Sequence, residues 1–236
     1  MTVSEPTREG SAITQIINLF VAPGEAFDYA RKHPKMWILP LGLTLAFGIA
    51  VGVWFALGVN IEAWRGEMLR LAVAKNPQAA SRVSETFKHF GRGYLLWTFT
   101  GSVFIGTIVI ELFYALYLLL ADKIFSAENR SYGTWFSFVS WSWLPTIIAS
   151  IVTMILFAIS GVGLAATRAT TLNALFFHLG PTTPHYGAAQ FSILYFWVIA
   201  LMTYGLKRWA GHSTLKALVI AAAPFVVIYA ILFFVS

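Results

Sequence analysis

The sequence predicts an all-α, polytopic membrane protein, built as a bundle of five transmembrane helices with amphipathic interfacial helices. Of the 236 residues, 58% are hydrophobic and only 11% are charged, whereas an ordinary soluble domain has about 25% charged residues. The mean hydropathy of the chain is +0.72. Its long apolar stretches lack the period-two alternation of a transmembrane β-barrel, so their backbone hydrogen bonds must be satisfied within helices.

Five stretches are long enough to cross a hydrocarbon core of about 30 Å, which requires about 20 residues of helix. They cover 37–57, 95–121, 135–160, 188–206 and 217–235. Together these 112 residues contain one charged side chain, although the whole chain has 16 basic and 10 acidic residues. Exclusion of charge on this scale predicts five membrane spans.

The distribution of Lys and Arg predicts the orientation. With five spans, the two termini lie on opposite sides of the membrane. The short loops 122–134 and 207–216 hold 5 basic residues in 23 positions, whereas 161–187 holds 1 in 27. Because basic residues are retained on the cytoplasmic side, these loops predict a cytoplasmic N-terminus. The segment 58–94, with 6 basic residues, opposes this orientation.

Several segments outside the spans show an amphipathic pattern. Residues 1–36 are predicted to be an amphipathic N-terminal segment, and 37–236 the transmembrane domain. Within the N-terminal segment two short helices are predicted to lie on the membrane through their apolar residues, Ile13, Ile16, Ile17 and Phe20 in one and Ala26, Phe27 and Ala30 in the other. Segment 58–94 predicts a helical hairpin that turns at Asn76-Pro77, and residues 172–179 predict a shorter interfacial helix.

The composition also excludes several classes of function. The chain has no cysteine, and its five histidines are scattered, so neither a thiol nucleophile, a metal site nor a cofactor is predicted. The glycine fingerprints that bind phosphate and the motifs of serine hydrolases and zinc proteases are absent. We therefore expect a protein that is not an enzyme. Its net charge of +6 arises between apolar runs, which favours lipid head groups over nucleic acid as the partner.

Glu111 is the ionisable residue that lies well inside a predicted span. An acidic residue at the centre of a membrane helix costs about 2.5–3.5 kcal/mol on insertion scales, so its carboxyl group should face protein or water. Tyr114 on the same helix, and Ser140 and Thr146 of the third span, complete a candidate intramembrane polar site. The site predicts either proton- or cation-coupled transport, or a protonated glutamate that joins two helices by a hydrogen bond.

Prolines and glycines mark other positions of interest within the spans. Pro40, Pro145 and Pro224 each remove a backbone donor and are predicted to kink their helices. Kinked helices can line a binding site in transporters, although proline is also common in membrane helices. Gly48 and Gly52 form a small-residue motif that predicts close helix packing, either within the bundle or in a homo-oligomer or membrane-protein complex.

Several motifs of the sequence resemble the Yip1 family in its prokaryotic form. These are the segment NLFVAPGEAF at 18–27 followed by Arg31, Pro34, Trp37 and Pro40-Leu41, then LADKIF at 120–125, Thr134-Trp-Phe-Ser with Pro145, and Phe196-Trp197. The resemblance covers nearly the whole chain and implies a polytopic inner-membrane protein with about five spans. Eukaryotic members of the family are associated with Rab GTPases, but the Asp-Leu-Tyr-Gly-Pro segment of that branch is absent here.

We therefore expect a non-enzymatic integral membrane protein, located in the inner membrane of a bacterium, that organises the bilayer or recruits partners. The alternative is a small proton- or cation-coupled transporter or channel that uses Glu111.

Overall fold

The computed structural model describes residues 11–75, 78, 80–125 and 130–235. These residues form helices joined by turns, with one isolated antiparallel bridge in the described ranges, between Thr171 and Ser192. The α-helices are α1 (Ala12–Val21), α2 (Pro23–Lys32), α3 (Ile38–Gly58), α4 (Ile61–Lys75), α5 (Ala80–Lys88), α6 (Arg92–Phe125), α7 (Tyr132–Trp143), α8 (Ile147–Ser160), α9 (Tyr186–Ala189), α10 (Leu194–Ala210) and α11 (Thr214–Val235). The predicted all-α class is confirmed.

Among the described residues, four helical stretches are long and apolar enough to cross a membrane, which are Pro34–Gly58, Arg92–Phe125, Tyr132–Ser160 and Thr214–Val235. They overlap the first, second, third and fifth predicted spans. The fourth predicted span, 188–206, differs from the structure, because the corresponding helix α10 begins at Leu194 and has 17 residues. At 1.5 Å per residue this helix is about 25 Å long, shorter than the hydrocarbon core. The bridge from Ser192 to Thr171 holds the preceding residues outside the helix.

Local sequence signals explain where several helices begin and end. The Ser131 hydroxyl accepts the Thr134 N–H at 3.3 Å and so caps the start of α7. Pro145 lies in a 3-10 turn, Leu144–Thr146, that separates α7 from α8. At the end of α8, Gly161 has a φ of +83°, a conformation that glycine adopts without the steric cost of a Cβ. The long third span is therefore two helices with a break between them.

The buried side chains form two hydrophobic cores. The small core consists of Phe55, Ala56, Val59, Leu95 and Phe157. The large core combines buried residues of α2, α6, α7, α10 and α11, including Phe27, Leu118, Phe138, Met202 and Ala221. Helices α3 and α6 contribute to both cores and therefore connect the two parts of the bundle.

Helices α3 and α6 approach closely where α3 carries glycine. A Cβ placed on Gly48 would lie 2.7 Å from Val103 Cγ1, and one placed on Gly52 would lie 3.4 Å from the backbone N of Thr100. Larger side chains would force the two helices apart. In this structure, Gly48 and Gly52 thus pack against a helix of the same chain.

Helix α2 packs into the large core. Its apolar residues Ala26, Phe27 and Ala30 are fully buried, and the Phe27 ring stacks on Phe138 of α7 at 5.1 Å between ring centroids. The apolar face that was predicted to lie on the membrane is therefore covered by protein. An amphipathic sequence pattern does not distinguish a helix face covered by lipid from one covered by protein, because both environments accept apolar side chains.

The segment between the first two spans forms two helices, α4 and α5, that pack against each other. The rings of Trp64 and Phe87 lie 6.4 Å apart, and Arg65 Nε donates to the Phe90 carbonyl at 2.9 Å. These contacts agree with the predicted hairpin, although Asn76 and Pro77, where it was predicted to turn, lie outside the described residues.

Residues 161–193, here called the 161–193 segment, fold back against the bundle. The Ile193 N–H donates to the Thr170 carbonyl at 2.9 Å, and Thr153 Oγ1 of α8 lies 3.2 Å from the Ala166 carbonyl. Ser160 ends α8 seven residues beyond Thr153, a distance of about 10 Å along a helix. The segment therefore returns alongside α8 before α10 begins.

Candidate functional site

Glu111 is fully buried and contacts Ser140 of α7. The Ser140 hydroxyl oxygen lies 2.5 Å from Glu111 Oε2 and 3.0 Å from the Phe136 carbonyl. One hydroxyl proton cannot be donated to both oxygens. If Glu111 is protonated, its Oε2 donates to Ser140 while Ser140 donates to Phe136, whereas Glu111 Oε1 has no hydrogen-bond partner in the described structure. The geometry is that of a buried hydrogen bond between α6 and α7.

The other two residues of the predicted polar site lie elsewhere. The Tyr114 ring packs between Trp143 and Phe225, at centroid distances of 5.7 and 5.4 Å. Thr146 follows Pro145 in the 3-10 turn, and its hydroxyl donates to the Trp143 carbonyl at 2.8 Å. The structure therefore brings Glu111 and Ser140 together and separates Tyr114 and Thr146 from their hydrogen bond.

A partly open cavity of about 580 Å³, whose lining surface is more apolar than polar, lies between α3, α6, the α7–α8 break and the 161–193 segment. We call it the hydroxyl cavity, because most of its polar lining is hydroxyl groups. Thr146 belongs to this lining, and Glu111 is not among the lining residues. Residues from four parts of the bundle meet there, including Thr44, Thr107, Ser150, Thr171, Gln190 and Ser192. Sequence reasoning did not predict this cavity, since its polar residues are far apart in the chain.

The three prolines occupy different places in the helices. Pro40 is the third residue of α3, and its carbonyl accepts the Thr44 hydroxyl at 3.0 Å. Pro145 lies at the break between α7 and α8, beside the hydroxyl cavity. Pro224 lies inside α11, one residue before the buried Phe225. Of the three, Pro145 is the one that exposes a helix break to the hydroxyl cavity.

A buried ion pair joins the ends of α6, α7 and α10. Arg130 Nη1 lies 2.7 Å from Asp122 Oδ1, and the two side chains are 7% and 2% exposed. Trp135 Nε1 donates to the other carboxylate oxygen at 3.3 Å, and Arg130 also donates to the Trp209 carbonyl at the end of α10. Sequence reasoning missed this cluster, because charged residues are ordinary at the end of a span.

A second ion pair fixes α2 to α10. The Arg208 guanidinium donates to both carboxylate oxygens of Asp28, at 2.7 and 2.5 Å. These hydrogen bonds lower the pKa of Asp28 below its ordinary value. Both side chains are 44–45% exposed, so solvent screens the pair and it contributes less than a buried one.

Buried polar bonds, two hydrophobic cores and four long apolar helices define an integral, multi-pass membrane protein of the helix-bundle class. No group of three His, Asp or Glu side chains that could hold a metal ion occurs in the described part of the chain.

The family model described as Yip1 domain matches residues 17–235. The chain therefore belongs to the Yip1 family, and the predicted resemblance is confirmed. A comparison with curated proteins gave no match, and a comparison with solved structures also gave none.

Proposed function

We propose that this Yip1-family protein is a non-enzymatic membrane organiser that inserts α1 into the interface between lipid head groups and acyl chains. Yip1 membership and the apolar helices support an integral membrane protein. The observation that carries the more specific proposal is the apolar strip of α1 that none of the described residues covers.

The side chains of α1 divide into three strips around its axis. Leu19 and Gln15 are buried against the bundle, whereas Ile13, Ile17 and Val21 are 68%, 61% and 74% exposed. These three residues are spaced by four, so they form one continuous strip. The polar residues Ser11, Thr14 and Asn18 lie beside them on the helix surface. A helix with one protein-facing, one apolar and one polar strip fits the membrane interface, where lipid covers the second and water the third.

Helix α2 holds α1 to the bundle. Phe27 is fully buried between α7 and α10, and Asp28 pairs with Arg208. On α1 itself, the Phe20 ring contacts Trp197 of α10 at 5.2 Å. An anchored helix inserted in one leaflet displaces lipid without moving relative to the spans, and would therefore act on bilayer shape.

The proposed topology has five membrane passes, which are the four long apolar stretches and the shorter helix α10. Eight of its residues, including Leu194, Leu201 and Trp209, are buried in the protein, so neighbouring helices cover much of its surface. The proposal places the N-terminus and the basic loops before α7 and after α10 on the cytoplasmic side of a bacterial inner membrane.

A depth measurement tests the position of α1. The chain has no cysteine, so Ile17→Cys and Ser11→Cys each provide one site for a fluorescent label in the reconstituted protein. We expect nitroxides on the acyl chains to quench the label at position 17 more strongly than at position 11. Equal quenching by water-soluble quenchers at both positions would contradict insertion.

A vesicle assay tests the organising role. We expect the wild-type protein to reduce the mean vesicle diameter measured by electron microscopy, and the triple variant Ile13→Ser, Ile17→Ser, Val21→Ser to lose this effect. The double variant Ser11→Ala, Thr14→Ala on the polar strip is the matched control and should behave as wild type. If the wild-type protein does not change the mean vesicle diameter, the result would count against the proposal that α1 organises the membrane.

The transporter alternative depends on Glu111. A liposome assay of pH-dependent cation flux distinguishes the two functions, since Glu111→Gln should abolish flux if the carboxyl group carries protons. Under the organiser proposal we expect no flux above that of empty liposomes, and the variant should keep wild-type thermal stability because an amide N–H can also donate to Ser140. Flux that Glu111→Gln abolishes would replace the organiser proposal.

A homo-oligomer or a membrane-protein partner is compatible with this proposal. Such a partner would bind a surface other than the glycine face of α3, because Gly48 and Gly52 already pack against Val103 and Thr100 of α6.

A further inference from the structure

We propose that the hydroxyl cavity is a binding site for a phosphoethanolamine group, the zwitterionic head group of an amine phospholipid. The site is separate from α1 and does not depend on the function proposed above. Its volume of about 580 Å³ lies within the range of small-molecule sites, about 300–1,000 Å³.

The lining presents several hydrogen-bond acceptors and one buried donor without a partner in the described structure, the indole N–H of Trp143. The hydroxyls of Thr44, Thr146, Thr167 and Thr171 donate their protons to backbone carbonyls at 2.7–3.0 Å. A hydroxyl whose proton is used in this way keeps lone pairs that can accept. Gln190 Oε1 is a further acceptor, buried and with no hydrogen-bond partner in the described structure. Such a lining favours a ligand that supplies N–H or O–H donors, because unpaired buried acceptors are costly.

The charge of the lining restricts the ligand further. Arg168 is the charged residue among the described side chains that line the cavity. It is exposed, and its guanidinium donates to the Tyr186 hydroxyl, so it lies at the margin of the cavity. No carboxylate belongs to the described lining, and Glu67, which lines a neighbouring cavity with Arg168, is paired with Arg70 at 2.7 Å. A simple cation would therefore lack a counter-charge. A simple anion could accept from Arg168 and from the unpartnered Trp143 indole N–H, but it would leave Gln190 Oε1 without a donor.

A zwitterion with a primary amine satisfies both parts of the site. Its ammonium group supplies three N–H donors to the hydroxyl and amide oxygens, while its phosphate accepts charge-assisted hydrogen bonds from Arg168. The irregular backbone of the 161–193 segment fits this assignment, because within a membrane such backbone is tolerated where it is buried in protein or lines a polar cavity.

Native mass spectrometry of the full chain in detergent tests the assignment with three lipids that have identical acyl chains. We expect one phosphatidylethanolamine to be retained, at least about tenfold more tightly than phosphatidylcholine or phosphatidylglycerol, the loss that one charge-assisted hydrogen bond would cause. Choline has no N–H, and phosphatidylglycerol has no amine. Equal retention of phosphatidylcholine would show that the donors are irrelevant, and equal retention of phosphatidylglycerol would show that the two O–H donors of its head group serve as well as an ammonium group. Either result, or no retained lipid, would overturn the proposal.

Variants locate the binding. Arg168→Gln and Gln190→Leu should each weaken retention of phosphatidylethanolamine, whereas Lys88→Gln, in an exposed pair outside the cavity, should not. Soluble glycerophosphoethanolamine distinguishes the source of the head group. Displacement of the lipid at equal concentration would identify a soluble ligand of the same chemistry, and failure to displace would identify the lipid.

A labelling experiment keeps the test valid if a variant fails to fold. Ser150→Cys introduces one thiol into the cavity lining of a chain without cysteine, and Glu85→Cys introduces one at an exposed position of α5, outside the spans. We expect phosphatidylethanolamine, but not phosphatidylcholine, to slow modification of the thiol at position 150 by a water-soluble reagent, with no difference at position 85. Equal modification rates at position 150 in both lipids would contradict occupancy of the cavity.

Discussion

The ion pair of Asp122 and Arg130 holds three helix ends at one end of the bundle. Its hydrogen-bond partners include the Trp135 indole and the carbonyl of Trp209. Substitution of either charged side chain would therefore leave the remaining buried charge or dipole without its partner. Burial of this kind makes the pair sensitive to substitution even where it adds little net stability to the intact fold.

We expect Asp122→Asn to lower the free energy of unfolding by about 3–5 kcal/mol, because it leaves the Arg130 guanidinium buried without a counter-charge. Thermal unfolding in detergent, followed by tryptophan fluorescence, measures the effect. The matched control is Asp28→Asn in the exposed pair with Arg208, where about 0–1 kcal/mol is expected. Equal melting temperatures for the two variants would contradict the difference in burial.

The two acidic residues of α6 show what sequence reasoning can and cannot find. Glu111 was identified because a single charge inside an apolar run is conspicuous, and Ser140 was among the hydroxyl groups considered as its partners. Asp122 carries a buried ion pair but lies at the end of its span, where charges usually meet water. Its partner Arg130 lies eight residues later, so the i±3 and i±4 spacings of neighbouring helix residues do not link the two.

At the scale of the helices, the contact of α2 with α7 and α10 depends on one glycine. A Cβ placed on Gly205 would lie 2.3 Å from a ring carbon of Phe138 and 3.3 Å from a ring carbon of Phe27. Both rings are fully buried, so neither can move without displacing other core residues.

We expect Gly205→Ala to destabilise the protein by about 1–3 kcal/mol through overpacking. Gly101→Ala is the matched control in α6, where a Cβ meets nothing within 4 Å and the better helix propensity of alanine should leave stability unchanged or slightly increased. Melting temperatures in the same detergent measure both changes. A Gly205→Ala variant as stable as the control would indicate that α2 is docked less tightly than the structure describes.

The attachment of α2 should also depend on pH. Because Arg208 lowers the pKa of Asp28 in the folded protein, the ion pair contributes stability above the unfolded pKa of about 4, and this contribution is lost as pH falls through the lower folded pKa. We expect hydrogen exchange in α2 to increase relative to the rest of the bundle below about pH 4. The Asp28→Asn variant should lack this relative pH dependence, and an identical profile in the variant would assign the effect to other groups.

Predictions about the helices were correct where the sequence signal was local. They were incomplete where contacts between distant residues determine the bounds or the surroundings of a helix. The hydropathy of 188–206 indicated a span, but the hydrogen bond from the Ile193 N–H to the Thr170 carbonyl, which delays the start of α10, joins residues far apart in sequence. Likewise, the spacing of Phe27 and its neighbours indicated a buried face without indicating what buries it.

At the scale of the whole molecule, the two cores and the hydroxyl cavity form a layered arrangement along α3 and α6. Residues such as Thr44 and Ser192 contribute one polar atom each from distant positions, so no sequence motif marks the cavity. Apolar length and charge exclusion predicted the bundle, because both reflect the bilayer more than particular contacts between helices.

The proposed topology is tested by labelling single cysteines in intact membranes. We expect Gly211→Cys, after α10, to be accessible from the cytoplasmic side, and Glu85→Cys, in the hairpin, from the opposite side. A cysteine added beyond Ser236 should report the same side as position 85. Accessibility of positions 211 and 85 from one side would reject the five-pass arrangement.

The length of α6 has a consequence for the lipid around the protein. Its apolar part, 95–121, has 27 residues and is about 40 Å long, compared with a hydrocarbon thickness of about 30 Å. Either the helix leans by about 40°, at the upper end of the observed tilts, or the surrounding acyl chains stretch to match it. In the second case the protein would gather in the thicker regions of a membrane whose thickness varies.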